Sequence, residues 1–374
     1  MPSCFSAVSR GSEIDDAQVV KSAAPLLDTS ESVSEILPRL AQHPRIAIDT
    51  EADSLHCYFE KLCLIQISIP GEDFLIDPLA GFSLAPLFDV LAGRELIIHG
   101  ADYDLRLLRR VGFAGPTRVF DTMIAARLCG VPEFSLAALI AKYFGEQIAK
   151  ASQKANWARR PLSPQMLDYA VKDTHHLLEI AAILEARLRE LGRWEWFEQS
   201  CERAIVASTV MRERDPDQLW RISGSKDLQG RASAVLRGLW QWRDSEARAV
   251  DKPSFHILHN EQLLEAAARF DCGEKVSFPQ LRGARGGRFF KAAEQALALP
   301  EIDWPKIIRN PRPRTTREQE NRFKELKKMR DEIATRLQLD PALIAPKYTL
   351  EALSADAAET VPKMMAWQRT LLGV

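Results

Sequence analysis

The chain has 374 residues, 50 basic and 51 acidic side chains, a formal net charge of −1 and 46% hydrophobic residues. That length accommodates two or three domains with buried cores, and the charge balance excludes a histone-like binder while allowing local patterning. Six cysteines, at 4, 57, 63, 129, 201 and 272, form no Cys-x-x-Cys pair and no Cys/His cluster at zinc spacing, so they read as reduced intracellular thiols.

The N-terminus has no basic patch followed by an apolar stretch, and no apolar run reaches transmembrane length. A cytoplasmic protein without a membrane partner is expected. Residues 1–24, rich in Ser, Ala and acids, read as a poorly ordered leader. A first strand is expected at Pro25-Leu26-Leu27-Asp28, then a helix opened by the capping box Ser32-Val33-Ser34-Glu35. Strands are expected at 45–51, 61–69, 73–77 and 95–99 before helices take over, which suits a mixed sheet with helices on both faces.

Three acidic motifs follow in order. Ile46-Ala47-Ile48 reads as a buried strand, and Asp49 and Glu51, two residues apart at its end, point to one side of an extended backbone. Two such carboxylates repel unless a cation sits between them, and oxygen ligands suit Mg2+ or Mn2+. A pair of solvated acids closing a strand has the same pattern. Glu95-Leu96-Ile97-Ile98-His99 reads as another buried strand, and Gly100-Ala101 turns the chain into a helix with Asp102 and Asp104 in its first turn. Asp102 there serves the helix dipole. After Pro161-Leu162-Ser163-Pro164, with Ser163 as N-cap, one long amphipathic helix is expected as far as Gly192. Tyr169 and Asp173 stand four apart on one of its faces.

On these motifs the chain resembles ribonuclease D and its relatives, the DEDD exonucleases of the tyrosine-containing subtype. Ile48-Asp49-Thr50-Glu51 is similar to the first exonuclease motif, and His99-Gly100-Ala101-Asp102-Tyr103-Asp104 to the second, with Asp104 as its acid. Tyr169-x-x-x-Asp173 is similar to the third. Leu64-Ile65-Gln66-Ile67, Phe74-Leu75-Ile76-Asp77-Pro78 and Trp157-Ala158-Arg159-Arg160-Pro161-Leu162 match the same family.

The resemblance implies an α/β ribonuclease H-like exonuclease domain and a metal-dependent 3′→5′ exoribonuclease releasing nucleoside 5′-monophosphates. It implies two divalent cations, with Asp49 bridging both, Glu51 and Asp173 nearer the attacking water, Asp104 on the other ion, and Tyr169 aligning the water. RNA with a free 3′ end, transfer-RNA precursors above all, would be the partner. DNA as substrate and an inactive binding protein are the alternatives. Ala52 stands where the family often has Phe or His, leaving His56, Tyr58 or Phe59 to supply that contact, and Asn156 stands where an Asp commonly precedes the Trp. Tyr58, Tyr103 and Lys150 are the candidate substrate contacts.

The exonuclease domain is expected over 25–211, ending where Arg212-Glu213-Arg214-Asp215-Pro216-Asp217 breaks the apolar periodicity. Residues 218–299 resemble the helical module shared by RecQ-type helicases and ribonuclease D, the HRDC domain, which binds nucleic acid. A basic linker over 300–314 and a second, diverged HRDC-like domain over 315–374 complete the chain. Trp220, Trp240 and Trp242 are either stacking platforms or core residues at helical spacing. From Lys306 to Arg330 ten basic residues face three acids, a local net charge of +7 available for phosphate contact. The patch Arg282-Gly283-Ala284-Arg285-Gly286-Gly287-Arg288 lacks the Gly-Lys-Ser/Thr ending of a phosphate loop, which rules out nucleoside triphosphate binding there.

Overall fold

The computed structural model describes residues 24–148, 152–210, 215–306 and 315–374. Six strands, β1 (Leu26–Leu27), β2 (Arg45–Ala52), β3 (Leu62–Ile69), β4 (Glu72–Ile76), β5 (Glu95–Ile98) and β6 (Arg118–Asp121), form one mixed sheet in the order β1-β4-β3-β2-β5-β6. β2 runs antiparallel to β3 and parallel to β5. Strand alternation divides its side chains: Ile46 and Ile48 join one core cluster and Ala47 another.

Helices α1 (Ser30–Gln42), α2 (Ala85–Ala92) and α3 (Asp102–Arg110) cover the Ile46/Ile48 face. The other face carries α4 (Thr122–Leu128), α5 (Leu136–Phe144), α6 (Pro164–His175), α7 (Leu177–Glu190) and α8 (Trp194–Thr209). Two expected helix boundaries are corrected. The cap of α1 is Thr29, whose side chain and that of Ser32 exchange hydrogen bonds with each other's backbone, so the box opens three residues before Ser32. The expected long helix breaks at His176, which leaves helical geometry at φ −97° and ψ 1°. Its ring stacks on Phe144 at 4.1 Å, and Nε2 lies 3.3 Å from Glu146. That docking turns the chain between α6 and α7, and the continuous apolar periodicity could not reveal it.

Beyond the sheet the chain is helical: α9 (Gly230–Ala249), α10 (Ser254–Ile257), α11 (Asn260–Asp271) and α12 (Gly283–Leu297), then α13 (Arg317–Leu337), α14 (Pro341–Ile344), α15 (Lys347–Ala355), α16 (Ala357–Thr360) and α17 (Ala366–Leu372). α11 starts at Asn260, after an extended Leu258. Trp220 and Trp242 are buried in the core of the α9–α12 module, and Trp240 packs partly buried against it, so Trp220 and Trp242 are core residues and not stacking platforms. Arg285 and Arg288 both reach Glu246, at 3.4 and 2.5 Å. Among the described residues, no helix is long and apolar enough to cross a membrane.

Each helical module docks on the sheet-bearing part in its own way. Asp251, at a positive φ of 46°, accepts hydrogen bonds from the backbone N–H groups of Tyr58 and Phe59, both at 3.0 Å. The Tyr58 hydroxyl donates to Asp244 at 2.8 Å, and the Arg248 guanidinium lies 5.4 Å from the Tyr58 ring centre. The second module is joined through apolar packing. Leu326, Ile333, Ile344, Leu350 and Trp367 belong to the same core cluster as Phe120, Leu184 and Phe197. Trp367 stacks on Trp196 at 5.1 Å, and Arg193 donates to the carbonyls of Leu128 and Leu337, both at 2.7 Å.

This shared core predicts shared melting. Trp367→Ala is expected to destabilise the protein by about 3–5 kcal/mol, as loss of a buried tryptophan does. Calorimetry should show α13–α17 and the sheet unfolding in one transition; a separate early transition for the C-terminal helices would contradict it.

Candidate active site

The site lies at the carboxyl ends of the parallel strands β2 and β5, where open sheets with flanking helices place their ligands. Alternation along β2 sends Asp49 and Glu51 toward α6 and sends Thr50 the opposite way, toward α3. One carboxylate oxygen from each of Asp49, Glu51 and Asp173 lies within 4.8 Å of the others. The Thr50 hydroxyl donates to Asp104 Oδ1 at 2.5 Å. Thr50 thereby holds the buried Asp104, a part that the sequence motif shows only as a residue between two acids.

Local structure explains how α3 and α6 present their acids. Asp121, buried at the end of β6, accepts from Met123 and Ile124 as the N-cap of α4 and from the Gly100 and Ala101 backbones through both oxygens. It fixes the turn that delivers Asp104, and its signal in the sequence was an N-cap aspartate before Thr122. His99 Nδ1 lies 2.9 Å from the Thr122 hydroxyl. Asp102, in the first turn of α3, points outward and pairs with Arg106 at 2.8 Å. Ser163 caps α6 by accepting from Met166 at 3.3 Å. Arg160 ties the preceding segment to the sheet through Asp77 and the Cys63 carbonyl.

Electrostatics marks the cluster as incomplete. Desolvation, then the charges of Asp104, Asp173 and Glu51, raises Asp49 well above the carboxylate range. Desolvation, with Asp173 and Asp104, pushes Glu51 up to about 9. Asp104 rises to about 6, mainly by burial against the Thr50 hydrogen bond. Asp173 rises to about 7 by burial, with the Tyr169 hydroxyl pulling the other way. Asp173 Oδ2 is buried without a hydrogen-bond partner. Hard oxygen donors, excess negative charge and an orphaned carboxylate oxygen together fit a divalent cation.

The candidate substrate contacts separate. Tyr103 is 45% exposed with its hydroxyl bonded to Glu60, and Phe59 is 54% exposed. Tyr58 is held by Asp244 and Arg248 of the first helical module, and His56 Nε2 lies 3.1 Å from the Lys154 carbonyl. Of the three residues that could stand in for Ala52, Phe59 alone keeps an exposed ring. Lys150 lies outside the described residues.

The raised pKa values carry a sign. As pH climbs past the ordinary carboxylate range, the unfolded chain releases these protons before the folded one does. The metal-free protein is therefore expected to lose stability from about pH 4 up to about pH 9, the range between free acids and Glu51. Asp49→Asn relieves that repulsion and should raise the melting temperature at pH 8 in EDTA by roughly 2–5 °C. Calorimetry of both proteins checks this, and a lower melting point for the variant would reject the electrostatic account.

Comparison with known proteins agrees with this fold. The profile of a 3′-5′ exonuclease family matches residues 26–189, and that of the HRDC domain matches 232–270. Ribonuclease D of Zymomonas mobilis is 30% identical, the match covering 93% of this chain and 92% of that protein. Ribonuclease D of Gluconacetobacter diazotrophicus is 29% identical over 93% of this chain and 90% of its own. Among solved structures, Escherichia coli RNase D, an exoribonuclease involved in structured RNA processing, aligns with a TM-score of 0.71 at 24% identity, covering 94% of this chain and 96% of that one. With the matched fold, the acids of three exonuclease motifs and full-length relatives at this identity, the chain belongs to the ribonuclease D family and is a 3′→5′ exoribonuclease.

Proposed function

We propose that this exoribonuclease removes nucleotides singly from a free RNA 3′ end as 5′-monophosphates, with two divalent cations, Mg2+ or Mn2+, held by Asp49, Glu51, Asp104 and Asp173. The observation that carries the reading is the meeting of Asp49, Glu51 and Asp173 oxygens within 4.8 Å. Divalent ions there would neutralise charge on the pentacovalent phosphate, ease deprotonation of water and stabilise the departing 3′ oxygen. Asp49, at the strand end, would be the shared ligand. Glu51 and Asp173 would serve the ion nearer the attacking water. Asp104, held by Thr50, would serve the other directly or through water.

Tyr169 orients that water. Desolvation and the neighbouring acids raise its pKa beyond the ordinary phenol value, so at neutral pH it keeps its proton and works by hydrogen bonding, not as a general base. Tyr103 and Phe59, whose exposed rings adjoin Glu60, offer stacking surfaces for terminal bases. Lys150 is a further phosphate contact in this reading, whereas Tyr58 serves the docking of α9.

We assign residues 25–211 to the exonuclease domain, 218–299 to the first HRDC domain, 300–314 to the linker and 315–374 to the second helical domain. Lys324, Lys327, Lys328 and Arg336 share one open surface on α13, a face suited to RNA phosphates although Lys327 also pairs with Asp331. Structured RNA, transfer-RNA precursors first, is the substrate class, and the unpaired thiols Cys57, Cys63, Cys129, Cys201 and Cys272 suit a cytoplasmic setting.

Matched RNA and DNA oligonucleotides with single-stranded 3′ tails, incubated with Mg2+, Mn2+ or EDTA, test the reading. Mononucleotide release from RNA that EDTA abolishes is expected; equal or faster hydrolysis of DNA would shift the substrate, and activity in EDTA would remove the metals. Asp49→Asn should leave less than about a tenth of the activity, since losing metal stabilisation costs several kcal/mol in the transition state. Tyr169→Phe is expected to slow turnover roughly 10²-fold with metal affinity unchanged. Calorimetric loss of metal binding in that variant would reassign the residue to structure.

A further inference from the structure

The side chain of Gln66 is fully buried, and neither its amide nitrogen nor its amide oxygen has a hydrogen-bond partner among the described residues. It stands in the middle of β3, in register with Asp49 on β2 and Leu75 on β4. Directly opposed residues of an antiparallel pair place their side chains on the same face, so Gln66 lies beside the Asp49 side chain. Two positions further along β3 on that face, the Ser68 hydroxyl is hydrogen-bonded to Thr174 of α6 at 2.7 Å, so α6 closes over this strip of the sheet. The strip also holds the apolar Leu64, Leu75, Ala170 and Val171, and at its far end Asp73, opposite Ser68, accepts from the Ser68 hydroxyl at 2.6 Å.

A methionine would fill this place without burying an unpaired amide, which is costly. Packing therefore gives no reason for glutamine here. The acids beside it have the complementary lack: Asp173 Oδ2 is buried without a hydrogen-bond partner. A carboxylate that binds a cation needs a donor on its outer oxygen to set its orientation.

We propose that Gln66 is a positioning residue of the active site: with divalent cations bound, its side-chain N–H would donate to the Asp49 carboxylate, directly or through one buried water, and keep it oriented toward them. This rests on the reading of Asp49 as a metal ligand. It gives Gln66 no contact with the reacting atoms.

The test uses the full chain with Gln66→Met, which keeps length and volume and removes the amide. Calorimetric titration with Mn2+ should show binding weakened about 10–100-fold, the usual effect of losing such a support. In EDTA the variant should melt within about 2 °C of wild type or above it, because no hydrogen bond is lost there. Its kcat on a short RNA should fall with KM little changed. Mn2+ affinity equal to wild type overturns the inference, and so does a variant that fails to fold or melts much lower, because either result makes the amide structural. Asp49→Asn is titrated alongside: if it binds Mn2+ as wild type does, the metal-ligand reading itself fails, and the two failures are told apart.

Discussion

Uncompensated negative charge at the end of β2 is the constraint around which the catalytic part is arranged. Asp49 and Glu51 leave the strand on one side, and α6 brings Asp173 down onto them. Thr50 leaves on the other side and holds Asp104. A single extended segment of three residues thus addresses two helices on opposite faces of the sheet, which only strict alternation permits. Isolated, the arrangement opposes its own folding at neutral pH. A divalent ion held there would add to its stability as well as serve its chemistry.

Much of the site was legible because its parts are local. The Asp49/Glu51 spacing on a strand, the Asp104 position in a first helical turn and the Tyr169/Asp173 spacing each need only the period of one element. Ser163 as cap of α6 followed from the same reasoning. What escaped the sequence depends on pairing between distant segments. The antiparallel register brings Gln66 opposite Asp49, and the return of β6 sets Asp121 under the Gly100-Ala101 turn. The break at His176 arises from the Phe144 ring, over thirty positions earlier in the chain. Tyr58 is the instructive case: its closeness to the first motif suggested substrate, whereas α9, almost two hundred residues away in sequence, takes its hydroxyl.

The helical modules differ in their bond to the rest of the protein. At Tyr58 the junction is made largely of directional polar contacts to Asp244, Arg248 and Asp251. They position the loop that follows the first acidic motif, so a change in α9 can reach the mouth of the candidate site through the Tyr58-Phe59 backbone. At Trp367 the junction is a continuous apolar core, with no surface of separation between α13–α17 and α8.

The double fork of Arg193 makes that second junction hard to remake. Its guanidinium binds one carbonyl at the end of α4 and one at the end of α13, so two helix termini share a single donor. Exchange of whole modules between proteins over evolutionary time is easy where the joint is a handful of polar contacts and hard where a donor and a core are held in common. The α9–α12 module is the replaceable bead on this chain. The last sixty residues, although they look like a second bead, can change only together with the catalytic part that they help to build.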